Sequence, residues 1–296
     1  MKRILLTGAN GQLGRALQKE YQSEVEFILT DMADGGAVKK LDISDLEAVK
    51  RCISDTRPNV VINCAAMTNV DGCETNIEGA YTANALGPRN LAIVTGQQDI
   101  KLLHVSTDYV FNGAERPAPY TEFDVPDPIS AYGRTKLAGE GFVRDFSHKY
   151  FILRTAWLYG DGHNFVKTML KLAENHDELT VVSDQKGSPT SAAELARLIH
   201  FLEPTEEYGL YHATCEGDTN WADFAEAIFR EAGAGIRVRH VTSDEYKKMN
   251  PQSANRPKYS ILDNMMLRLV SDYKMSDWQD ALREYMQTLA LEGMIR

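Results

Sequence analysis

Positive charge is what this 296-residue chain has too little of: 32 Lys and Arg stand against 42 Asp and Glu, a net charge of −10. That deficit argues against a surface built for nucleic acid or anionic lipid, although one local cation can still hold one anionic ligand. Cysteine is scarce too. Cys52, Cys64, Cys73 and Cys215 form no C-x-x-C pair, which excludes a disulfide framework or zinc ribbon and suits a reducing cytoplasm. No apolar stretch approaches the ~20 residues of a membrane span. Met1 to Leu6 opens straight into a strand-like run, with no signal peptide expected. Internal repeats and low-complexity tracts are lacking as well. A soluble, cytoplasmic protein is the expectation, and the length allows one large α/β domain or two ordinary ones.

What is present is an alternation of short apolar runs with helical patterns. Arg3 to Thr7 reads as a strand buried on both faces. It leads into Gly8-Ala9-Asn10-Gly11-Gln12-Leu13-Gly14 and then the helical spacing Leu13, Leu17, Tyr21. Glycines permit a tight turn, and bare N–H groups at a helix start face a pyrophosphate. A strand from Val25 to Leu29 ends near Asp31, about 20 residues past the glycines, where a carboxylate accepts from the adenosine ribose. Asp31 favours NAD, because a 2′-phosphate is repelled there. Arg15 works against that preference, so NADPH and NADH both stay open.

Asp42 and Ile43 precede a capping-box pattern, Ser44 to Glu47. They read either as a pair flanking adenine or as a loop closure. Asn59 to Ala66 is the third strand, and its small tail Cys64, Ala65, Ala66 lets a cofactor lie against the backbone. Thr68, Val70, Asp71 and Glu74 follow in a loop near that edge. A long helical pattern from Ile77 to Gln97 carries Asn84 and predicts a kink or break at Pro88. The strand Lys101 to Val105 ends in Ser106, Thr107, Asp108 and Tyr109, beside the expected cofactor. A loop rich in Pro, Gly and acids, Asn112 to Pro128, leads to a helix carrying Tyr132 and Lys136. Four residues apart, these two share a helix face, and an ammonium beside a phenol lowers its pKa.

The alternation predicts a doubly wound, Rossmann-type parallel sheet over residues 1–156. Residues 157–296 read as a smaller mixed α/β substrate-binding lobe, with the chain recrossing that boundary. Arg256, before Pro257, is the candidate cation for a phosphate in the lobe.

The glycine turn, Asn84, the hydroxyl after the fourth strand and the Tyr132/Lys136 pair, in that order, resemble the extended short-chain dehydrogenase/reductase superfamily. Thr7 to Gly14, Ser106 to Phe111, Tyr132 to Glu140, Arg154 to Trp157, Asn164 to Leu170 and Asp184 to Thr190 make the chain more similar to the dTDP-4-dehydrorhamnose reductase family within it. That resemblance implies reduction of a nucleotide-sugar C4 ketone with NADPH or NADH. Tyr132 is then the proton donor, Lys136 holds the nicotinamide ribose and lowers the Tyr132 pKa, and Thr107 hydrogen-bonds the ketone oxygen. The implied cofactor set is Gly8, Asn10, Gly11, Gln12, Leu13, Asp31, Asp42, Ile43, Cys64, Ala65, Ala66, Tyr132 and Lys136. The implied substrate set is Thr68, Val70, Thr107, Asp108, Tyr109, Trp157 and Arg256. Some family members bridge a homodimer through magnesium on glutamates, one of them in the first helix. Here that turn reads Gly14-Arg15-Ala16-Leu17, without an acid, although Glu194 lies near another such position. No metal is expected, and the chain is expected as a monomer or weak homodimer. The same fold also serves idle dinucleotide-binding regulatory subunits and other nucleotide-sugar reductases or epimerases, so these remain alternatives.

Overall fold

Strand burial sets the architecture. In a computed structural model, which describes residues 1–293, the strands β1 (Lys2–Thr7), β2 (Val25–Asp31), β3 (Lys39–Lys40), β4 (Val60–Asn63), β5 (Lys101–Thr107) and β6 (Tyr150–Thr155) join a seventh, Gly209–His212. The order across the sheet is Gly209–His212, β6, β5, β4, β1, β2, β3, and every pairing is parallel. The strand order reverses between β1 and β4. A doubly wound sheet opens a crevice at that switch point, beyond the strands' C-terminal ends.

Alternation within each strand feeds two helical layers. Ile4 and Leu6 of β1 pack with Leu13 and Leu17 of α1 (Gln12–Tyr21) and with Leu195 and Ile199 of the helix Ala192–Leu202. Leu5 faces the other way, toward Val49 and Ile53 of α2 (Leu46–Thr56), Leu91 of α5 (Gly87–Gln97) and Val143 of α6 (Ala131–Phe146). A separate core holds the lobe: Tyr159, Val166, Phe224, Ile228, Trp278 and Leu282 pack together. The helix Ala192–Leu202 and the strand Gly209–His212 come from the second half of the chain yet pack with the sheet. A cut at residues 156/157 therefore divides the chain but not these layers.

Two local expectations need correcting, and a third takes a particular form. The cap of α2 is Asp45, whose carboxylate accepts from the Glu47 and Ala48 N–H groups. Ser44 instead donates its hydroxyl to Asp42 Oδ1 at 2.7 Å. The loop after β4 is shorter than expected, because Val70–Thr75 forms a helix, α3, capped by Asn69. The interruption expected at Pro88 takes the form of a π-turn: α4 (Ile77–Tyr81) passes through Thr82–Leu86 before α5 begins at Gly87 with Pro88 in its first turn. The wider turn just ahead of Pro88 accommodates a residue that has no N–H to donate. Among the described residues, no helix is long and apolar enough to cross a membrane.

Candidate active site

The crevice at the switch point is a cleft of about 840 Å³ lined from both halves of the chain. Gly8, Asn10, Gly11, Gln12, Leu13 and Asp31 form one wall, and Cys64, Ala65, Ala66, Thr68, Val70 and Asp71 another. Thr107, Asp108, Tyr109, Tyr132 and Lys136 form the floor, and Trp157, Trp221 and Arg256 close the lobe side. All but two of the expected site residues thus meet in one place. Asp42 and Ile43 are not among the lining. Asp42 accepts from Ser44, and Ile43 is buried against the backbone of Gly87. The adenine role read for that pair gains nothing from the shape of the cleft.

The glycine wall is a cradle. Gly8 sits at φ +69°, and a Cβ there would come within 2.7 Å of Ala65 N, so only glycine lets the turn and the β4 loop approach this closely. Gly11 precedes α1 with no side-chain cap, leaving first-turn N–H groups free for an anion at the positive end of the helix. Gln12 Oε1 is buried and unpaired beside them. Asp31 accepts from Asn10 N at 2.9 Å and from Met32 N at 2.7 Å, which ties the end of β2 to the turn. These residues fit a dinucleotide.

The floor is built by α6. Ser130 caps it, accepting from Gly133 N at 3.1 Å, and Glu74 of α3 accepts from Ala131 N at 2.7 Å. Glu74, read from sequence as a loop acid, is therefore a second cap. Gly133 has no room for a side chain, since a Cβ would lie 2.1 Å from Tyr109 O. That contact brings Tyr132 edge-on to the Tyr109 ring, with centroids 5.6 Å apart. Asn84, in the π-turn, donates to Met67 O and to Thr135 Oγ1 and accepts from Met67 N. It pins the wall loop to α6 rather than facing ligand.

The charges differ from the simple picture of an ammonium lowering a phenol. Lys136 is buried, and its Nζ donates to Val105 O at 2.6 Å. Burial brings its pKa down to about 8, while Glu140 holds it up. The Tyr132 phenol is raised above its ordinary value, chiefly by burial and secondarily by Asp108, with the Thr107 hydroxyl opposing. The tyrosine is thus held protonated at neutral pH, which is the state a proton donor needs. Thr107 donates to Asp108 Oδ1 at 3.0 Å and accepts from Tyr109 N at 3.2 Å. Burial pushes Asp108 up to about 6.

On the lobe side Trp157 adopts φ +47°, unusual for a bulky residue. Its ring stacks on Trp221 at 3.6 Å and 10°. Arg256 reaches across the cleft to Asp71 at 3.4 Å, with its Nε buried and unpaired. Asp71 also accepts from Ala254 N at 2.7 Å. Trp221 and Arg256 also line a second cavity of about 660 Å³. Trp221, Thr155 and Asn69 line the cleft and were missed in the sequence. Only the hydroxyl of Thr155, ending β6 as Thr107 ends β5, offered a signal. Both Glu194 oxygens are engaged, by Arg197 and by Ser276 N.

The model of the RmlD substrate binding domain family matches residues 1–291. A dTDP-4-dehydrorhamnose reductase of Aggregatibacter actinomycetemcomitans is 41% identical over 298 residues, covering 96% of this chain and 98% of the relative. A solved dTDP-4-dehydrorhamnose reductase from Clostridium acetobutylicum is 48% identical with a TM-score of 0.92, over 97% of this chain and 99% of that one. Another from Bacillus anthracis, in complex with NADP, is 41% identical with a TM-score of 0.88 and the same coverage.

Proposed function

Since this chain belongs to the RmlD substrate binding domain family, we propose that it reduces the C4 ketone of dTDP-4-dehydro-L-rhamnose to dTDP-L-rhamnose with NADPH or NADH. The observation that carries this is the convergence of Thr107, Tyr132 and Lys136 on the floor of a cleft whose opposite wall is the Gly8 cradle. A module that only bound the dinucleotide has no use for all three.

When bound, the reduced nicotinamide supplies the hydride. The chain's residues do the rest. Tyr132 gives its phenolic proton to the C4 oxygen as negative charge develops there, so the ketone gains one hydride and one proton and becomes an alcohol. Lys136 places a buried positive charge beside the ribose and offsets the charge left on the phenolate. Thr107 turns its hydroxyl from Asp108 to the ketone oxygen and orients the sugar. Asp108, Tyr109 and Trp157 bound the sugar, with Thr68 and Val70 opposite. Arg256 exchanges its single 3.4 Å contact with Asp71 for the diphosphate, to which its guanidinium fork can donate two parallel bonds. Asn10, Gln12 and Leu13 join Gly8 and Gly11 around the pyrophosphate, Asp31 takes the adenosine ribose, and Cys64, Ala65 and Ala66 lie along the cofactor.

The test is direct. Purified protein given dTDP-4-dehydro-L-rhamnose with NADPH, and separately with NADH, is expected to lose reduced-nicotinamide absorbance only when sugar is present. No loss with either cofactor, from protein that still binds dinucleotide, would make the chain an idle binding subunit.

A further inference from the structure

The catalytic floor rests on a buried ion pair that the reaction does not touch. Glu140 and Arg154 are 0% and 1% exposed and pair at 2.7 Å between Oε2 and Nη2. Arg154 Nε donates to Glu140 Oε1 at 2.9 Å, and Ser106 Oγ donates to the same oxygen at 2.6 Å. The guanidinium lies over the Phe111 ring, 5.2 Å from its centroid, and its Nη1 has no partner.

The attachment points of this network are telling. Ser106 precedes Thr107 on β5, Arg154 precedes Thr155 on β6, and Glu140 lies one helical turn beyond Lys136 on α6. Three elements that line the cleft are thus tied to the pair, each next to or one helical turn from a lining residue: Thr107, Lys136 and Thr155. A fully buried charge pair of this kind gives little net stability compared with an apolar pair of like volume. Its placement therefore calls for another account.

We propose that Glu140 and Arg154 are positioning residues, clamping β5, α6 and β6 in register and setting one carboxylate a helical turn from the Lys136 ammonium. The inference rests on the reductase reading only in the role given to Lys136. The charge balance itself belongs to the unliganded chain.

The groups facing Lys136 are few. Tyr132 and Glu140 lie on its own helix, Cys64 follows β4, His104 is on β5, and Arg154 stands behind Glu140 on β6. His104 is held neutral and Cys64 protonated by burial, and Glu140 is the one carboxylate in the set. Its Coulombic pull opposes the desolvation that lowers Lys136. Arg154 brings the opposite charge to the same carboxylate.

Removing one half or the other is therefore expected to move Lys136 in opposite directions, which a purely structural role does not predict. The full chain is labelled at the lysine ε-carbon with ¹³C, and the Lys136 resonance is assigned by its loss in Lys136→Met. Glu140→Gln is expected to lower the Lys136 titration midpoint by about one pH unit, and Arg154→Met to raise it by a similar amount, the scale set by one nearby uncompensated charge. Arg154→Lys keeps the charge while losing the fork, so its midpoint stays near wild type. Dinucleotide affinity against pH, read by reduced-nicotinamide fluorescence, is expected to move with the midpoint in each variant. If Glu140→Gln does not fold, the Arg154→Met and Arg154→Lys pair carries the test alone. Midpoints that stay put in the folded variants, or shift the same way for Glu140→Gln and Arg154→Met, overturn the proposal. So does Arg154→Lys behaving like Arg154→Met. The result does not depend on which sugar is reduced, so it fails or survives separately from the proposed activity.

Discussion

Burial raises the Tyr132 phenol above its ordinary value, so it stays protonated at neutral pH as the proposed donor role requires. Tyr132→Phe is expected to cut turnover by roughly 10²–10⁴-fold while dinucleotide affinity stays within a few-fold. Steady-state rates and a binding titration on one preparation check both halves, and near-wild-type turnover would end the acid assignment. Asp108 pays for its site in stability. Its carboxyl is raised from 3.8 to about 6, chiefly by burial. This group's favourable contribution is complete below its unfolded pKa and is lost as pH rises through its folded one. At neutral pH the fold therefore carries a buried carboxylate at a cost of about 3 kcal/mol. Asp108→Asn is expected to be more stable than wild type at neutral pH, with the gap closing toward about pH 4. Urea unfolding at the two pH values measures it, and a gap unchanged by pH would contradict the assignment. The Tyr132/Lys136 pair was legible because helical spacing alone brings its members together. The Asp71–Arg256 contact was not, because it joins residues 185 positions apart and nothing local in either stretch encodes the other.

Among the elements, the strands were readable because each is a short apolar run feeding two covered faces, as Ile4, Leu5 and Leu6 do. Caps and turn widths were less so. Ser44 and Asp45 are both good capping residues, and their competition is settled by Asp42 taking the Ser44 hydroxyl. The π-turn at Thr82–Leu86 carries no composition signal, since tertiary contacts select it: Asn84 must reach both Met67 and Thr135. Asn84→Ala would leave the Met67 N–H and C=O without that partner, at an expected cost of about 1–3 kcal/mol. Thermal unfolding of Asn84→Ala, with amide exchange at Met67, checks it; unchanged protection there would show that the loop is held by other means. At the glycine turn, Gly8→Ala combines a left-handed backbone with a Cβ 2.7 Å from Ala65 N. It is expected to weaken dinucleotide binding by at least tenfold, on the order of the 1–3 kcal/mol of an overpacked contact, as read by fluorescence titration.

On the scale of the whole molecule, the sheet layer and the lobe meet at the cleft, and Arg256 reaches from one side to Asp71 on the other. Arg256→Met is expected to raise the KM for the nucleotide sugar about tenfold or more with a smaller change in kcat, because its contact lies away from the reacting carbon. A loss confined to kcat would instead place the guanidinium at the chemistry. The stacked pair Trp157 and Trp221 has a further consequence, an optical one. The chain has three tryptophans, and the third, Trp278, is buried in the lobe core. Two indoles lying face to face at 3.6 Å couple their electronic transitions, so the cleft wall carries its own chromophore while Trp278 supplies a steady background. Any ligand that slides, tilts or parts the two rings rewrites the aromatic circular dichroism and the emission of the protein. Under the proposed reading, the wall that bounds the sugar doubles as a built-in gauge of its arrival, readable without a label and without turnover.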